Sequence, residues 1–209
     1  MIPVLTYASC YVYSPAGSGD LCGRSRLLRS LLKAGDVHFL VKYAIRVRQQ
    51  ARDAAPLAGF FGADDVLVPV PGSNPDTAGK RWAAEHLAFA LINAGLGAAA
   101  WAGLHRVCAV RKSATCAPGN RPTVNLHYES FSMDRPATPP ASIVLIDDVV
   151  TKGRTLLAAA TRVHEAFPQA DVRAFALVRT LGLIAGVEKL LDPCRGEIRW
   201  RQGDAHRNP

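Results

Sequence analysis

Residues 142–168 constrain the fold more than any other part of this chain. They begin with an apolar run at 142–146, continue through two adjacent aspartates, and reach Gly153 before an apolar stripe with helical spacing that Pro168 ends. A short apolar run bounded by polar residues is typical of a parallel strand that is buried on both faces. The stretch therefore predicts a strand, a short loop and a helix.

Two further segments extend this pattern. Residues 65–70 form a second apolar run, which ends in a Pro-Gly-Ser turn and precedes an apolar stripe at 84–92, and residues 172–178 form a third run. Asn74 and Pro75 are typical of a helix cap and a first helical position. The alternation of strands and helices predicts an α/β fold, with a mostly parallel central sheet, right-handed crossovers and flanking helices.

The segments outside these units predict further elements. Residues 7–20 predict a short strand and a loop, and residues 24–34 and 37–52 predict two amphipathic helices with basic outer faces. Residues 107–123 lose periodicity and are rich in basic side chains, which predicts a mobile loop able to cover a site.

Chemistry-bearing residues follow two of the predicted strands. Asp147 and Asp148 come after one strand and residues 71–73 after another, and ligands of open α/β sheets bind beyond the carboxyl ends of strands. Adjacent carboxylates repel each other, so the pair is stable only if it is exposed or if cations or hydroxyl donors share the site. Sugar hydroxyls and Mg²⁺ would both serve. Residues 149–155 open a helix, whose free N–H groups and dipole favour a phosphate. These features together predict a sugar-phosphate site.

Residues 143–155, with the sequence IVLIDDVVTKGRT, resemble the 5-phosphoribosyl-1-pyrophosphate (PRPP) motif of the type I phosphoribosyltransferases. Only Lys152 departs from that motif, since a second Thr or Ser is common there. The resemblance implies a type I phosphoribosyltransferase-like fold. It also implies transfer of the 5-phosphoribosyl group from PRPP to a small-molecule acceptor, such as a nucleobase, with release of pyrophosphate.

The resemblance implies a role for each residue of the motif. Asp147 and Asp148 would hold the ribose 2- and 3-hydroxyls, and Mg²⁺, the implied cofactor, would reach the same carboxylates through the ribose or water. The residues implied to bind the 5-phosphate are Thr151, Lys152, Gly153, Arg154 and Thr155. Position after the first core strand assigns the pyrophosphate to Pro71, Gly72 and Ser73, with Arg81 and Lys80 on the following helix as further candidates.

Basic side chains and Mg²⁺ would offset the charge that grows on the leaving pyrophosphate. By their position in the predicted mobile loop, Arg111 and Lys112 join Asp147 and Asp148 as the catalytic candidates. A solvated charged loop is an equally good interpretation of Arg111 and Lys112, because surface charges are the rule.

The wider sequence is similar to the competence-protein-F-like branch of this family. The similarity spans roughly residues 43–180 and includes V-P-V-P at 68–71, GKRWAAEHLA at 79–88 and R-x-x-A-x-R-K-S at 106–113. That branch often carries a zinc ribbon. The five scattered cysteines form no C-x-x-C pair and predict reduced thiols instead, which argues against a role in DNA uptake.

The resemblance implies a single phosphoribosyltransferase-like domain over residues 1–209. Residues 37–180 would form its core, while residues 1–36 and 181–209 would form a hood or peripheral segments that select the acceptor. Within the second segment, the pattern at 183–191 predicts a helix, and residues 204–209 predict a frayed end. Type I phosphoribosyltransferases are commonly dimers, so the resemblance also implies a homodimer.

Composition limits the other possibilities. The 209 residues, 49% hydrophobic and 20% charged, are typical of a globular domain, and no apolar run approaches the roughly 20 residues that span a bilayer. The first residues lack the pattern of a secretory signal, so we expect a cytoplasmic protein without a membrane partner. The net charge of +8 favours an anionic partner. Two alternatives stay open: a non-catalytic regulator that binds PRPP or a nucleotide, and a competence-type protein that binds DNA through its basic helices.

Overall fold

The computed structural model describes residues 1–53, 55–75, 81–111, 121–182 and 186–209. The helices of this part of the chain are α1 (Asp20–Ala34), α2 (Val37–Asp53), α3 (Ala83–Asn93), α4 (Val124–Glu129) and α5 (Arg154–Ala166). Its strands are β1 (Val4–Tyr13), β2 (Val66–Pro69), β3 (Ala99–Ala100), β4 (Leu104–Arg106), β5 (Phe131–Met133), β6 (Ser142–Val150), β7 (Asp171–Thr180), β8 (Leu191–Arg201) and β9 (Asp204–Asn208).

Among the described residues, seven strands form one sheet in the order β3-β2-β6-β7-β1-β8-β9. The strands from β3 to β1 pair in parallel, while β8 and β9 add an antiparallel edge. β4 and β5 pair separately as a two-stranded antiparallel sheet. The predicted α/β class, with a mostly parallel central sheet, is therefore confirmed.

Both faces of the sheet are covered by helices, as the continuously apolar strands require. On one face, Leu32 of α1 and Leu91 of α3 belong to a buried cluster with Ile146 of β6. On the other face, Leu157 of α5 is buried in a cluster with Leu145 of the same strand. Alternate residues of β6 therefore face opposite layers of helices. No helix in the described ranges is long and apolar enough to cross a membrane.

The two predicted basic helices are confirmed as α1 and α2. Gly35 ends α1 in the left-handed conformation, with a φ of 69°, and its N–H donates to the carbonyl oxygen of Leu32. The side chain of Asp36 accepts a hydrogen bond of 2.8 Å from the N–H of Phe39 at the start of α2. These two caps turn the chain sharply, so α2 follows α1 without a linker.

Some expectations differ from the structure. The helix expected from Pro75 begins at Ala83, where Trp82 is the N-cap. The segment 1–36 is not wholly peripheral, because β1 lies inside the sheet between β7 and β8, with Tyr7 fully buried. Residues 204–208 form β9 instead of a frayed end, because they pair with β8.

The helix expected at 183–191 is also absent from the described part of that segment. Residues 186–190 are not helical, and β8 begins at Leu191. The strand is stabilised by the long antiparallel pairing with β1, from Tyr11 opposite Leu191 to Val4 opposite Arg199. Pairing with a distant part of the chain therefore overrides the local helical pattern.

Candidate active site

The two predicted site loops leave neighbouring strands side by side. The N–H of Val70 donates a hydrogen bond of 2.8 Å to the carbonyl oxygen of Ile146, which joins the end of β2 to β6. Immediately after this bond, the segment that follows β2 enters the 71–73 turn, and β6 reaches Asp147. The carboxyl edge of the sheet therefore brings together residues that lie more than 70 positions apart.

The sequence pattern suggested that Asp147 and Asp148 follow the strand, but the structure places both within β6. The strand is longer than expected because its pairing with β7 continues beyond the end of β2, with Asp147 opposite Ala176 and Val150 opposite Arg179. On the β2 side, however, pairing stops at Pro69 opposite Ile146. The two aspartates thus sit where β6 has lost one of its neighbours.

The carboxylate of Asp148 is buried and is held by a cation from a distant helix. Only 6% of Asp148 is exposed, and the ammonium group of Lys33, near the end of α1, forms an ion pair with its carboxylate. Its Oδ1 also accepts a hydrogen bond of 2.7 Å from the N–H of Val149. Lys33 was not predicted as a site residue, because only the packing of α1 on the sheet brings it near β6.

Asp147 is the member of the pair whose ionised form is disfavoured. Burial and the negative charge of Asp148 raise the pKa of Asp147 far above its usual range, and the charge of Lys33 opposes them. Its Oδ1 accepts a hydrogen bond of 2.8 Å from the N–H of Asp148. A second cation or a set of hydroxyl donors would favour the fully ionised pair, which is the chemistry that a sugar or a metal ion supplies.

Gly153 shapes the predicted phosphate loop. It adopts a φ of 87° directly before α5, a conformation that other residues rarely adopt. A Cβ built on it would lie 2.6 Å from Cδ1 of Ile198 in β8, so the loop is also packed beneath that side chain. No side chain in the described chain caps α5, and its first N–H groups have no acceptor within the helix. The geometry suits an anion at this end of the helix.

The charged side chains of this loop are bound by the C-terminal strand. Arg154 donates two hydrogen bonds to the carboxylate of Asp204, from Nε at 2.5 Å and from Nη2 at 2.6 Å, and Lys152 lies 3.5 Å from the same carboxylate. Hydrogen bonding to Arg154 lowers the pKa of Asp204 to about 2. Thr151 contacts the hydroxyl of Thr180 at 3.1 Å. The backbone of the loop, more than these side chains, is therefore available to a ligand.

Thr155, the last residue of the motif, lies beside a buried histidine that the sequence analysis did not select. Nε2 of His127 in α4 is 3.5 Å from the hydroxyl of Thr155, and His127 is only 6% exposed. Burial, together with the charges of Arg106 and Arg154, lowers the pKa of His127 to about 4. Its Nδ1 has no hydrogen-bond partner within the described residues. His127 is therefore a neutral side chain at neutral pH.

The 71–73 turn is held through its carbonyl oxygens. The carbonyl of Val70 accepts a hydrogen bond of 2.8 Å from the indole N–H of Trp82, and the carbonyl of Ser73 accepts one of 2.8 Å from the N–H of Val110. The carbonyl of Gly72 accepts a hydrogen bond from Nε of Arg106. Gly72 itself is exposed, and a Cβ built on it would meet no atom within 4 Å.

The other predicted basic residues make contacts of their own or lie outside the described chain. Arg81 lies just before α3 and contacts side chains of that helix, 3.7 Å from Glu85 and with its guanidinium over the ring of Phe89. Arg111 lines a cavity of about 340 Å³ together with Cys108, Ala109, Val110, Pro122, Leu126 and Glu129. Lys80 and Lys112 lie outside the described residues.

The two aspartates form a suitable but incomplete set of ligands for Mg²⁺. No group of three or more His, Cys, Asp or Glu side chains converges on a possible metal position in the described ranges. Mg²⁺ commonly binds through one or two carboxylates together with substrate phosphates and water. Asp147 and Asp148 therefore fit a Mg²⁺ ion that arrives with a phosphorylated ligand, and do not form a closed protein site.

Neither a protein-family model nor a curated protein matches this chain.

Proposed function

We propose that this protein is a PRPP-dependent phosphoribosyltransferase of the type I fold, which moves the 5-phosphoribosyl group to a small nitrogen-bearing acceptor and releases pyrophosphate. The observation that carries the proposal is the meeting of the acid pair, the loop before α5 and the 71–73 turn at one edge of the sheet. The bond between Val70 and Ile146 joins the strands that carry them. A sugar with a phosphate at one end and a pyrophosphate at the other suits this arrangement.

Each part of PRPP has a chemically suitable partner. The carboxylates of Asp147 and Asp148 accept hydrogen bonds from ribose hydroxyls, and the N–H groups that begin α5 accommodate the 5-phosphate. The turn at 71–73 takes the pyrophosphate. Mg²⁺, when bound, would be held by Asp147 and Asp148 together with the ligand, and would supply positive charge beside the pyrophosphate.

The proposed reaction breaks the bond between the anomeric carbon and a pyrophosphate oxygen and forms a bond to the acceptor nitrogen. Positive charge grows on the ribose ring as the pyrophosphate leaves. Two carboxylates fixed beside the ring stabilise that charge, because they are oriented before the reaction begins. Burial and the charge of Asp148 raise the pKa of Asp147, so positive charge that develops beside the pair would favour its ionised form.

Both terminal segments contribute to the proposed site. Lys33 of α1 contacts the acid pair, and Ile198 and Asp204 of the β8–β9 hairpin contact the phosphate loop. These contacts support a cover to which α1 and the β8–β9 hairpin contribute, which would shield the ligand and select the acceptor. Exclusion of water by such a cover would limit hydrolysis of PRPP.

Pyrophosphate release tests the proposal. The protein is incubated with PRPP and Mg²⁺ and a panel of purine, pyrimidine and other heteroaromatic acceptors, and pyrophosphate is measured. We expect release that depends on the acceptor and is lost in the double variant Asp147→Asn, Asp148→Asn. Equal release by that variant would rule out the acid pair as the reacting site.

A second candidate function is a non-catalytic regulator that binds PRPP. The ion pair between Lys33 and the buried Asp148 favours it, because a ligand that engages Asp148 would compete with Lys33 and so link its binding to α1. Tight PRPP binding without product across the whole acceptor panel would distinguish this function from an enzyme.

A further inference from the structure

A chain of buried polar contacts runs behind the proposed site, from the 71–73 turn to the start of α5. Arg106 at the end of β4 donates from Nε to the carbonyl of Gly72 and from Nη1 to the hydroxyl of Ser130. Ser130 donates a hydrogen bond of 2.6 Å to the carbonyl of His127, whose ring lies beside Thr155. One arginine thus connects the two loops that would hold the two ends of PRPP.

Arg106 is held rigidly enough to fix the turn. It is 3% exposed, and its guanidinium carbon lies 4.2 Å from the centre of the Phe131 ring. A buried guanidinium with two directed hydrogen bonds and a stacked ring has little rotational freedom. The carbonyl of Gly72 is therefore fixed in direction by a side chain that comes from outside the turn.

The direction of this carbonyl determines where the next N–H group points. The peptides after Gly72 and Ser73 are trans, so each N–H points opposite to the preceding carbonyl. The N–H of Ser73 therefore faces away from Arg106, and the N–H of Asn74 faces away from Val110. Neither N–H donates to another backbone group in the described chain. Two successive N–H groups without a backbone acceptor are a feature of anion-binding turns.

We propose that Arg106 is a positioning residue, which holds the 72–74 peptides with their N–H groups directed toward the pyrophosphate. It acts through the backbone and does not itself contact the ligand. This inference rests on the proposed function for the identity of the anion. A residue on β4, outside the predicted turn and helix, would therefore fix the geometry of the pyrophosphate end of the site.

Two anions separate the positioning role from general destabilisation. Calorimetric titration of inorganic pyrophosphate with Mg²⁺ and of ribose 5-phosphate is carried out on the wild type, on Arg106→Lys and on a matched control, Arg162→Lys. Arg162 also donates to a backbone carbonyl, that of Tyr128, and stacks on the ring of Tyr128 at 4.0 Å. We expect Arg106→Lys to weaken pyrophosphate binding about tenfold or more and ribose 5-phosphate binding less than about twofold. The control should change neither.

A second readout does not depend on any ligand. In NMR spectra of the ligand-free protein, the amide resonances of Ser73 and Asn74 should shift in Arg106→Lys and not in Arg162→Lys. If Arg106→Lys does not fold, Ser130→Ala, which removes one acceptor of Arg106, should weaken pyrophosphate binding severalfold with the same selectivity.

Equal weakening of both anions, or unchanged binding with unshifted amide resonances, would overturn the positioning role. If the wild type binds neither anion, the proposed function fails, and the amide resonances still decide whether Arg106 orients the turn.

Discussion

The two loops of the proposed site each contain a glycine, and the two glycines are required for different reasons. Gly153 has a positive φ and lies beneath Ile198, so the folded protein itself excludes any larger residue. Gly72 has neither a positive φ nor a close neighbour. The phosphate loop is shaped by the packing of Ile198 against Gly153. The 71–73 turn is instead held through its carbonyl oxygens, and the space beside Gly72 is open.

This difference separates structural from functional requirements. A glycine that the fold does not need is explained best by something that approaches it, and a ligand is the candidate at Gly72. At Gly153 the same residue type carries no such information, because packing alone explains it. The comparison predicts opposite patterns of stability and binding when the two glycines are substituted.

The largest effect on stability is expected for Gly153→Ala. A strained φ and a clash with Ile198 should together cost about 2–4 kcal/mol of unfolding free energy, measured by urea denaturation. Replacing Ile198 with Ala in the same chain should relieve the clash but not the strained φ. A loss below about 0.5 kcal/mol for Gly153→Ala would show that the loop adapts easily and that the comparison is wrong.

The next largest effect on stability is expected from the titration of His127 as pH falls. Its pKa is lowered to about 4 in the folded protein, so the unfolded chain takes up a proton first, and stability is lost as pH falls from about 6.5 to about 4. The loss should be about 2–3 kcal/mol and should be absent in His127→Gln. The exposed His164 is a matched control, since His164→Gln should leave the acid dependence unchanged.

The ion pair between Asp204 and Arg154 links the phosphate loop to β9, and Asp204 tests its contribution to stability. Its pKa is lowered to about 2, so its contribution to stability is present above about pH 4 and is lost as pH falls toward 2. Asp204→Asn should cost about 1–2 kcal/mol at neutral pH, a value reduced by the partial exposure of the pair with Arg154. Thermal unfolding of Asp204→Asn and of Arg154→Gln at pH 7 measures this; if both variants unfold at the wild-type temperature, the hairpin is not anchored here.

Gly72→Ala should have the smallest effect on stability and a clear effect on binding. We expect the unfolding free energy to change by less than about 0.5 kcal/mol, because no atom lies near the added methyl group. Pyrophosphate binding, measured by calorimetry, should weaken about tenfold, since the methyl group occupies space that the ligand needs. Unchanged binding would remove the functional explanation of Gly72.

The sequence predicted the elements that depend on local pattern. The apolar runs at 65–70, 142–146 and 172–178 all become central parallel strands, because runs of this kind can only be buried between two layers of helices. The boundaries were less accurate where distant pairing decides them. β6 continues through the two aspartates because β7 runs beside it, and the C-terminal residues form β9 because β8 offers an edge.

The contacts of the site could not be predicted in the same way. Lys33, Arg106, His127 and Asp204 each contact a part of the site that is distant in sequence, and no local spacing indicates that contact. Arg106 stood in a quoted motif, and its burial could have been suspected from its place at the end of a short apolar segment. Lys33 and Asp204 carried no signal, because ion pairs between distant elements leave no pattern in one sequence.

The most direct test of the central claim is calorimetric titration of PRPP with Mg²⁺ into the wild type and into the double variant Asp147→Asn, Asp148→Asn. A matched control is Asp64→Asn, an exposed carboxylate before β2 at the opposite edge of the sheet. The double variant should remain folded, because it replaces two adjacent, poorly solvated carboxyl groups with neutral side chains of the same shape, and the half-exposed Lys33 can be solvated by water. We predict binding by the wild type and the control and a loss of at least about 100-fold in the double variant. Equal binding by all three proteins, or none by the folded wild type, would contradict a PRPP site at this edge.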